Sequence, residues 1–320
     1  MTATRTGLMR LAGPVHDKLI VYVIVAVATG LLLPTAAGRL AVGVPYLLAG
    51  QVLGVALTLT VGQFGAVARR PLPVLLALAA QWTVMPLAGI VLFQLTADPA
   101  LRSGALVVAV APAEITSGLL AVLAAGSGAV ALTCMAGSLV LGTLLTPLWV
   151  SAILGPAAHV HRLALIAELV LAVALPLVVG VGLRTSIPAV SRMRARALDL
   201  SAVCVVLLVF VTVGSARALV LSASLMTCLA LCAALVVVGY ALGMLVAWPW
   251  RHHPEVGRAL VFPVGMREFG IAAAVALAIS PGAIGVAGIY GAILMITAPA
   301  LARCLRPRRL PDLNRSTTSG

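Results

Sequence analysis

The sequence predicts an all-α integral membrane protein of ten transmembrane helices, built as two inverted five-helix repeats. Three observations carry that reading: an apolar content that no water-soluble fold can hide, a succession of apolar runs long enough to span a bilayer, and arginines concentrated on one side of those runs. Hydrophobic residues make up 62% of the 320 and charged residues 9%, with a mean hydropathy of +1.18. Soluble domains run near ~45–50% apolar and ~25% charged. A net charge of +13 raises the question of nucleic acid. Here the basic residues sit in short clusters between apolar runs, beside few aromatics, which is the pattern of a membrane topology signal.

A spanning helix needs about 20 mostly apolar residues. Such runs fall at 18–36, 45–65, 72–95, 101–125, 129–153, 163–183, 199–214, 224–247, 256–279 and 282–302. The seventh is short, and the fourth and ninth are interrupted by polar residues. With the N-terminus placed in the cytoplasm, the cytoplasmic segments hold sixteen basic residues. These are Arg5, Arg10 and Lys18; Arg69 and Arg70; Arg184, Arg192, Arg194 and Arg196; Arg251 and Arg258; and Arg303, Arg306, Arg308, Arg309 and Arg315. The outer loops hold four, Arg39, Arg102, Arg162 and Arg217. Sixteen against four places both termini inside and supports an even helix count. Trp149, Trp248 and Trp250 fall at run ends, where amphipathic rings favour the headgroup level. The first apolar run is long enough to span and carries no cleavage signal. The expectation is a multi-pass protein of a cell inner membrane.

The two halves echo each other. A polar break follows Pro112 in run four and another follows Pro263 in run nine, 151 residues later; Pro147 and Pro299, late in runs five and ten, are 152 apart. A duplicated unit of five helices inserts its second copy upside down, because five is odd. The expected division is 1–153 for the first repeat, 154–305 for the second and 306–320 for a cytoplasmic tail. Inverted repeats with paired broken helices are how many secondary transporters build a site at mid-membrane.

Two segments carry the chemistry: Pro112-Ala-Glu-Ile-Thr-Ser-Gly118 and Pro263-Val-Gly-Met-Arg-Glu-Phe-Gly270. Each sets Pro, Gly and charge in the middle of an apolar run. One charge near the bilayer centre costs at least ~2.5–3.5 kcal/mol on insertion scales, so Glu114, Arg267 and Glu268 are expected to face away from lipid. Pro removes a backbone donor and Gly loosens the helix, which frees carbonyls and amides for a ligand. Pro112, Gly118, Pro263, Gly265 and Gly270 are the expected helix-breaking residues. Glu114 and Arg267 as a buried structural pair is the competing reading. The five cysteines show no metal-ligand spacing, and the five histidines, His252 and His253 among them, provide no nucleophile–base or metal constellation. No metal, cofactor or enzymatic activity is expected. Glu168 reads as an interfacial acid near Arg162.

Several stretches resemble the bile acid:sodium symporter family, within the superfamily that also contains arsenite effluxers. They are Thr58-Leu-Thr-Val-Gly-Gln-Phe running to Arg69-Arg-Pro71, Gln81-Trp-Thr-Val-Met-Pro86, the Pro112–Gly118 break, Val264-Gly-Met266 and Gly270-Ile-Ala. The resemblance implies a panel of helices one, two, six and seven beside a core of helices three to five and eight to ten. It also implies that broken helices four and nine cross in the core and bind substrate and ions there, and that the two domains rock to alternate access.

The departures from that family bear on coupling. Where sodium-coupled members read Glu-Val-Gly-Met-Gln-Asn in helix nine, the bridging Glu falls on Pro263, the Gln on Arg267 and the Asn on Glu268. The helix-four Ser-Asn pair falls on Ser117 and Gly118, and the helix-five hydroxyls fall on Ala131 and Met135. Gln81 and Ser117 remain, and Val264 and Met266 still offer carbonyls. The resemblance therefore implies degraded sodium sites, with sodium or a proton as the coupling ion and Glu114 or Glu268 paired with Arg267 or carrying a proton. The leading expectation is a carrier of a small organic anion held by Glu114, Thr116, Ser117, Arg267 and Glu268. An arsenite-type effluxer is a second reading, against which Ala113 stands where those proteins carry a cysteine. A non-transporting membrane sensor is the third.

Overall fold

The computed structural model describes residues 19–69, 71–154 and 161–307. Arg5, Arg10, Lys18, Arg70, Arg308, Arg309 and Arg315 lie outside the described residues, as does most of the 306–320 tail. Every named element among the described residues is helical. Among the described residues seven helices are long and apolar enough to cross a membrane: Pro34–Ala56, Leu72–Gln94, Gly128–Leu154, Arg162–Ser186, Pro188–Ser215, Leu225–Trp250 and Gly282–Leu305. Three shorter apolar helices, Leu19–Leu32, Pro99–Ala109 and Phe269–Ile279, fall in the remaining runs.

In chain order the helices of the first half are α1 (Leu19–Leu32), α2 (Pro34–Leu40), α3 (Val44–Ala56), α4 (Val61–Ala68), α5 (Leu72–Gln94), α6 (Pro99–Ala109), α7 (Ser117–Leu123) and α8 (Gly128–Leu154). Those of the second are α9 (Arg162–Leu169), α10 (Leu175–Ser186), α11 (Arg194–Ser215), α12 (Leu225–Ala247), α13 (Pro254–Gly265), α14 (Phe269–Ile279) and α15 (Pro281–Leu305). The run expected at 45–65 is two helices, because the chain leaves helix at Leu57 and restarts after Thr60. Thr60 and Gln63 form a capping box there, with Thr60 N donating to Gln63 Oε1 at 2.9 Å. The short seventh run is a full 22-residue helix, extended at its start by Arg194 and Arg196. Asp98 caps α6, accepting from Ala100 N at 2.9 Å and Leu101 N at 3.3 Å, with Pro99 at the first helical position.

Two groups of helices form. α11 packs against α1, α2 and α3, and α10 packs against α3. The second group contains α5–α8 and α12–α15, with α12 on α13, α14 on α15, α15 on α6 and α7 on both α8 and α13. The groups meet where α11 touches α15 and where α14 touches α3. Without a hydrophobic drive between helices in lipid, close approach depends on small residues. Gly239 and Gly243, one turn apart on α12, provide it against α13: a Cβ on either would drive into the carbonyl of Gly265 or Val261.

Arg162 Nε donates to Ser151 Oγ at 2.9 Å. Cys228 and Cys232 lie one turn apart with their sulfurs at 4.0 Å, both free and buried.

Candidate ion and substrate site

Pro112 has no N–H to offer an i−4 carbonyl and turns Ala111 away from helix; α6 ends at Ala109 and the chain stays non-helical until Ser117. In the second half the interruption lies later than expected. Pro263 is carried inside α13, which ends at Gly265, and the break is Met266–Glu268, with Met266 and Glu268 extended. Gly118 and Gly270 sit in the first turns of α7 and α14 rather than in the breaks.

The two breaks pair as a one-rung antiparallel bridge between Ala113 and Arg267. Glu114 N donates to Met266 O at 3.1 Å and Glu268 N donates to Pro112 O at 2.9 Å. The rung is two-fold symmetric: it relates Ala113 to Arg267 and Glu114 to Glu268, an offset of 154 residues rather than the 151 suggested by the prolines. In extended backbone successive side chains point to opposite faces. Ala113 and Arg267 therefore share one face, and Glu114 and Glu268 share the other.

The guanidinium face points into the helices α5, α8 and α13. Arg267 is 1% exposed. Its Nη2 donates to the carbonyls of Val264 and, at 3.3 Å, Pro263, and its Nη1 donates to Ala111 O at 3.4 Å. Gln81, with its amide turned so that the oxygen meets donors, accepts from Arg267 Nη1 at 2.7 Å and from Ala113 N at 3.1 Å. The carbonyls belong to the C-terminal ends of α6 and α13, where the helix dipole is negative and the last carbonyls lack intrahelical partners. No ion pair joins a carboxylate to the Arg267 guanidinium among the described residues, where His253 and Glu255 lie 3.8 Å apart. The expected pairing of Glu114 or Glu268 with Arg267 is thus corrected by strand alternation, which sends the charges to opposite faces. Val264 and Met266 do not offer unengaged carbonyls either, because Arg267 takes the first and Glu114 N the second.

The carboxyl face looks toward the other helix group. A Cβ placed on Gly270 would lie 3.0 Å from Glu268 Oε1, 3.1 Å from Leu208 Cδ1 of α11 and 3.5 Å from Leu48 Cδ1 of α3. Glu268 Oε2 accepts from Ile115 N at 2.8 Å and Oε1 from Gly270 N at 3.1 Å. Glu114 Oε1 accepts from Thr116 N at 3.4 Å and Thr116 Oγ1 at 3.3 Å. Glu268 therefore caps the N-terminus of α14, while the carboxyls at α7 take the N–H groups of Ile115 and Thr116 just before its first residue. Both acids are wholly buried.

Of the residues expected to hold substrate, Thr116 lines open space. It borders a cavity of about 580 Å³ between α1, α7 and α15, with Leu120, Met295, Arg303 and Arg306 among its other walls. It also borders a smaller one of about 120 Å³, with Thr58, Gly118, Arg194 and Ser201. Glu114, Ser117, Arg267 and Glu268 stand behind this surface. Ser117 Oγ is buried without a hydrogen-bond partner. So are both amide atoms of Gln51 on α3, a residue the sequence reading passed over. Gln51 lies three residues from Leu48, which meets Gly270, and four from Val55, which lines the smaller cavity, so it shares their helix face. A lone amide in an apolar span was the signal available for it. Among the described residues no group of three or more His, Cys, Asp or Glu is placed to hold a metal ion.

Comparison with individual curated proteins gives no match. The family model of the sodium bile acid symporter family matches residues 45–224, more than half of the chain. That segment contains Gln81 and the first break and stops short of the second. A membrane-helical chain matched over this length belongs to the sodium bile acid symporter family.

Proposed function

We propose that this chain is a secondary active carrier of a small organic anion, working by alternating access in a cell inner membrane with both termini cytoplasmic. In this reading each of the ten apolar runs crosses the bilayer, the short α6 and α14 being completed by α7 and α13 across their breaks. Residues 1–153 and 154–305 are the inverted repeats, and a two-fold rung between their broken helices is the contact such repeats produce. The helices around α11 rock against the group that holds the crossing.

The observation that carries this reading is the paired breaks lying behind a cavity at the junction of the two helix groups, with Thr116 in its wall. The cavity lining is apolar around Leu19, Leu120 and Met295, with Arg303 and Arg306 at one end; Arg194 lies on the adjoining space. Apolar walls with guanidinium groups suit a solute with an anionic head and an apolar body. Thr116, Ser117 and Gln51 supply hydrogen bonds. Glu114, Glu268 and Arg267 set the charge of the crossing from behind.

Arg267 also bears on coupling. Its guanidinium is held by carbonyls at two helix C-terminal ends and by Gln81, the oxygen-rich surroundings that a sodium ion requires. The side chain acts as a tethered cation in a family that elsewhere uses a mobile one. An arsenite-type effluxer would present a thiol at the rung, where Ala113 stands. The test is uptake of a panel of radiolabelled organic anions into proteoliposomes, with sodium replaced by choline. Uptake of at least one anion, unchanged by the replacement, is expected. Strict, saturable sodium dependence would overturn the tethered-cation reading, and no uptake of any anion would overturn the carrier reading.

A further inference from the structure

We propose that Glu114 and Glu268 form a single proton-binding site, one proton shared between two carboxyl groups related by the two-fold of the crossing. On an antiparallel rung these residues occupy diagonal positions of one face, a spacing that long side chains close. Both carboxyl groups are wholly buried there. Three of their four oxygens have donors: Glu268 Oε1 from Gly270 N, Glu268 Oε2 from Ile115 N, and Glu114 Oε1 from Thr116. The fourth, Glu114 Oε2, is buried and has no partner. Two carboxylate oxygens in contact repel; a proton between them turns an acceptor–acceptor contact into a hydrogen bond.

Among the described residues no cation is ion-paired with either carboxyl, and the guanidinium groups nearest in the lining of the adjoining cavities are those of Arg194, Arg303 and Arg306. Arg267 is on the opposite face of the rung. From α12 and α15 the titratable groups nearest Glu114 are the phenols of Tyr240 and Tyr290, and Tyr290 O–H accepts from Arg267 N at 3.1 Å. From α3 and α11 the neighbours are Leu48 and Leu208, and from α7 the hydroxyl of Ser117, buried and unpartnered. The bound proton comes from water and adds to one carboxylate oxygen, taking the pair from a charge of minus two to minus one. Because this face looks toward α3 and α11, loss of the proton sets two like charges at the junction across which the helix groups move. On the carrier reading, anion uptake is therefore driven by an inward proton gradient.

The experiment is a pH titration of the full chain in liposomes by infrared difference spectroscopy, following the C=O stretch of protonated carboxylic acid. The wild type is expected to show a buried carboxyl that loses one proton per chain in a single step, as a coupled pair does. Glu114→Gln and Glu268→Gln each place an amide donor against the remaining carboxylate, so the variants fold and that band is lost in both. No buried protonated carboxyl in the wild type, or a band surviving in both variants, would overturn the proposal. Should either variant fail to fold, the wild-type titration alone decides. Uptake measured alongside separates the two readings. A titrating band with no anion uptake leaves the proton site and removes the carrier reading. Uptake that is indifferent to a pH gradient, with no band, does the reverse.

Discussion

Replacing Arg267 by alanine removes the cation and leaves its surroundings intact. The carbonyls of Ala111, Pro263 and Val264 and the Gln81 oxygen all lose the donor they face. A buried polar group left without its partner costs about 1–3 kcal/mol. Breaking a buried charged arrangement from one side typically totals about 3–5 kcal/mol. Arg267→Ala is therefore expected to lower stability by that range and to leave a vacated, carbonyl-lined space. A small cation that binds there should restore stability by mass action, about 1.4 kcal/mol at ten times its dissociation constant. The assay is thermal unfolding of the purified variant at constant ionic strength, with methylguanidinium, sodium or choline as the added cation and the wild type as reference. Methylguanidinium should raise the variant's midpoint and not that of the wild type, while choline, too large for the space, should raise neither. A variant as stable as the wild type, or one that no small cation stabilises preferentially, would refute the tethered-cation reasoning.

Three further outcomes are expected. Gln51→Leu removes two buried unpartnered amide atoms, so stability should hold or rise by about 1–3 kcal/mol in denaturation while anion uptake falls; equal loss of both would show that the amide is structural. Gly239→Val forces a side chain against the Gly265 carbonyl and should cost at least about 1–3 kcal/mol, read as lost expression of folded protein, whereas Gly38→Ala, with open space around it, should be neutral. In a background lacking the exposed Cys304, cysteines at positions 39 and 217 should react with an impermeant maleimide from outside and one at 190 should not; equal labelling would reject the ten-crossing, both-ends-inside arrangement.

Composition and run length made the helical membrane character legible, because the cost of exposing backbone and charge to lipid leaves so few alternatives. The breaks were legible from Pro112 and from the charges at Arg267 and Glu268, which have no place in an ordinary span. Their partners were not. Whether Arg267 meets Glu114 depends on which face of the rung each occupies, and that depends on a register set by two hydrogen bonds between segments more than 150 residues apart. A helical reading of the same residues puts Glu114 and Arg267 within reach of each other; an extended one separates them. Pro263 misled for a related reason. In lipid a proline can be carried inside a helix, and here the helix runs on past Pro263 to Gly265, where Arg267 takes the end carbonyls of Pro263 and Val264. Gln51 went unnoticed because one amide in an apolar span carries no pattern.

On the proposed reading, the charges of the crossing explain how an arginine and two acids stand together within the membrane. With one proton shared between Glu114 and Glu268 the pair carries a single negative charge, and the guanidinium on the other face carries a single positive one. The crossing is then neutral. Each charge also lies at the helix end that suits it, the guanidinium at the C-terminal ends of α6 and α13 and the carboxyls at the N-terminal ends of α7 and α14. Moving a net charge through the membrane potential costs up to about 2.3 kcal/mol per 100 mV, so a neutral crossing moves relative to the bilayer at little electrical cost. A deprotonated crossing carries a net negative charge and does not. On the tethered-cation reading the guanidinium fixes the positive charge, so that a proton on the opposite face decides whether the whole is neutral. In this arrangement the double variant Glu114→Gln/Glu268→Gln leaves the crossing permanently positive. It is expected to bind the anion, since the cavity walls are unchanged, and to exchange it at a rate that does not vary with pH. Exchange by the double variant that still follows pH would place the titrating group elsewhere in the chain.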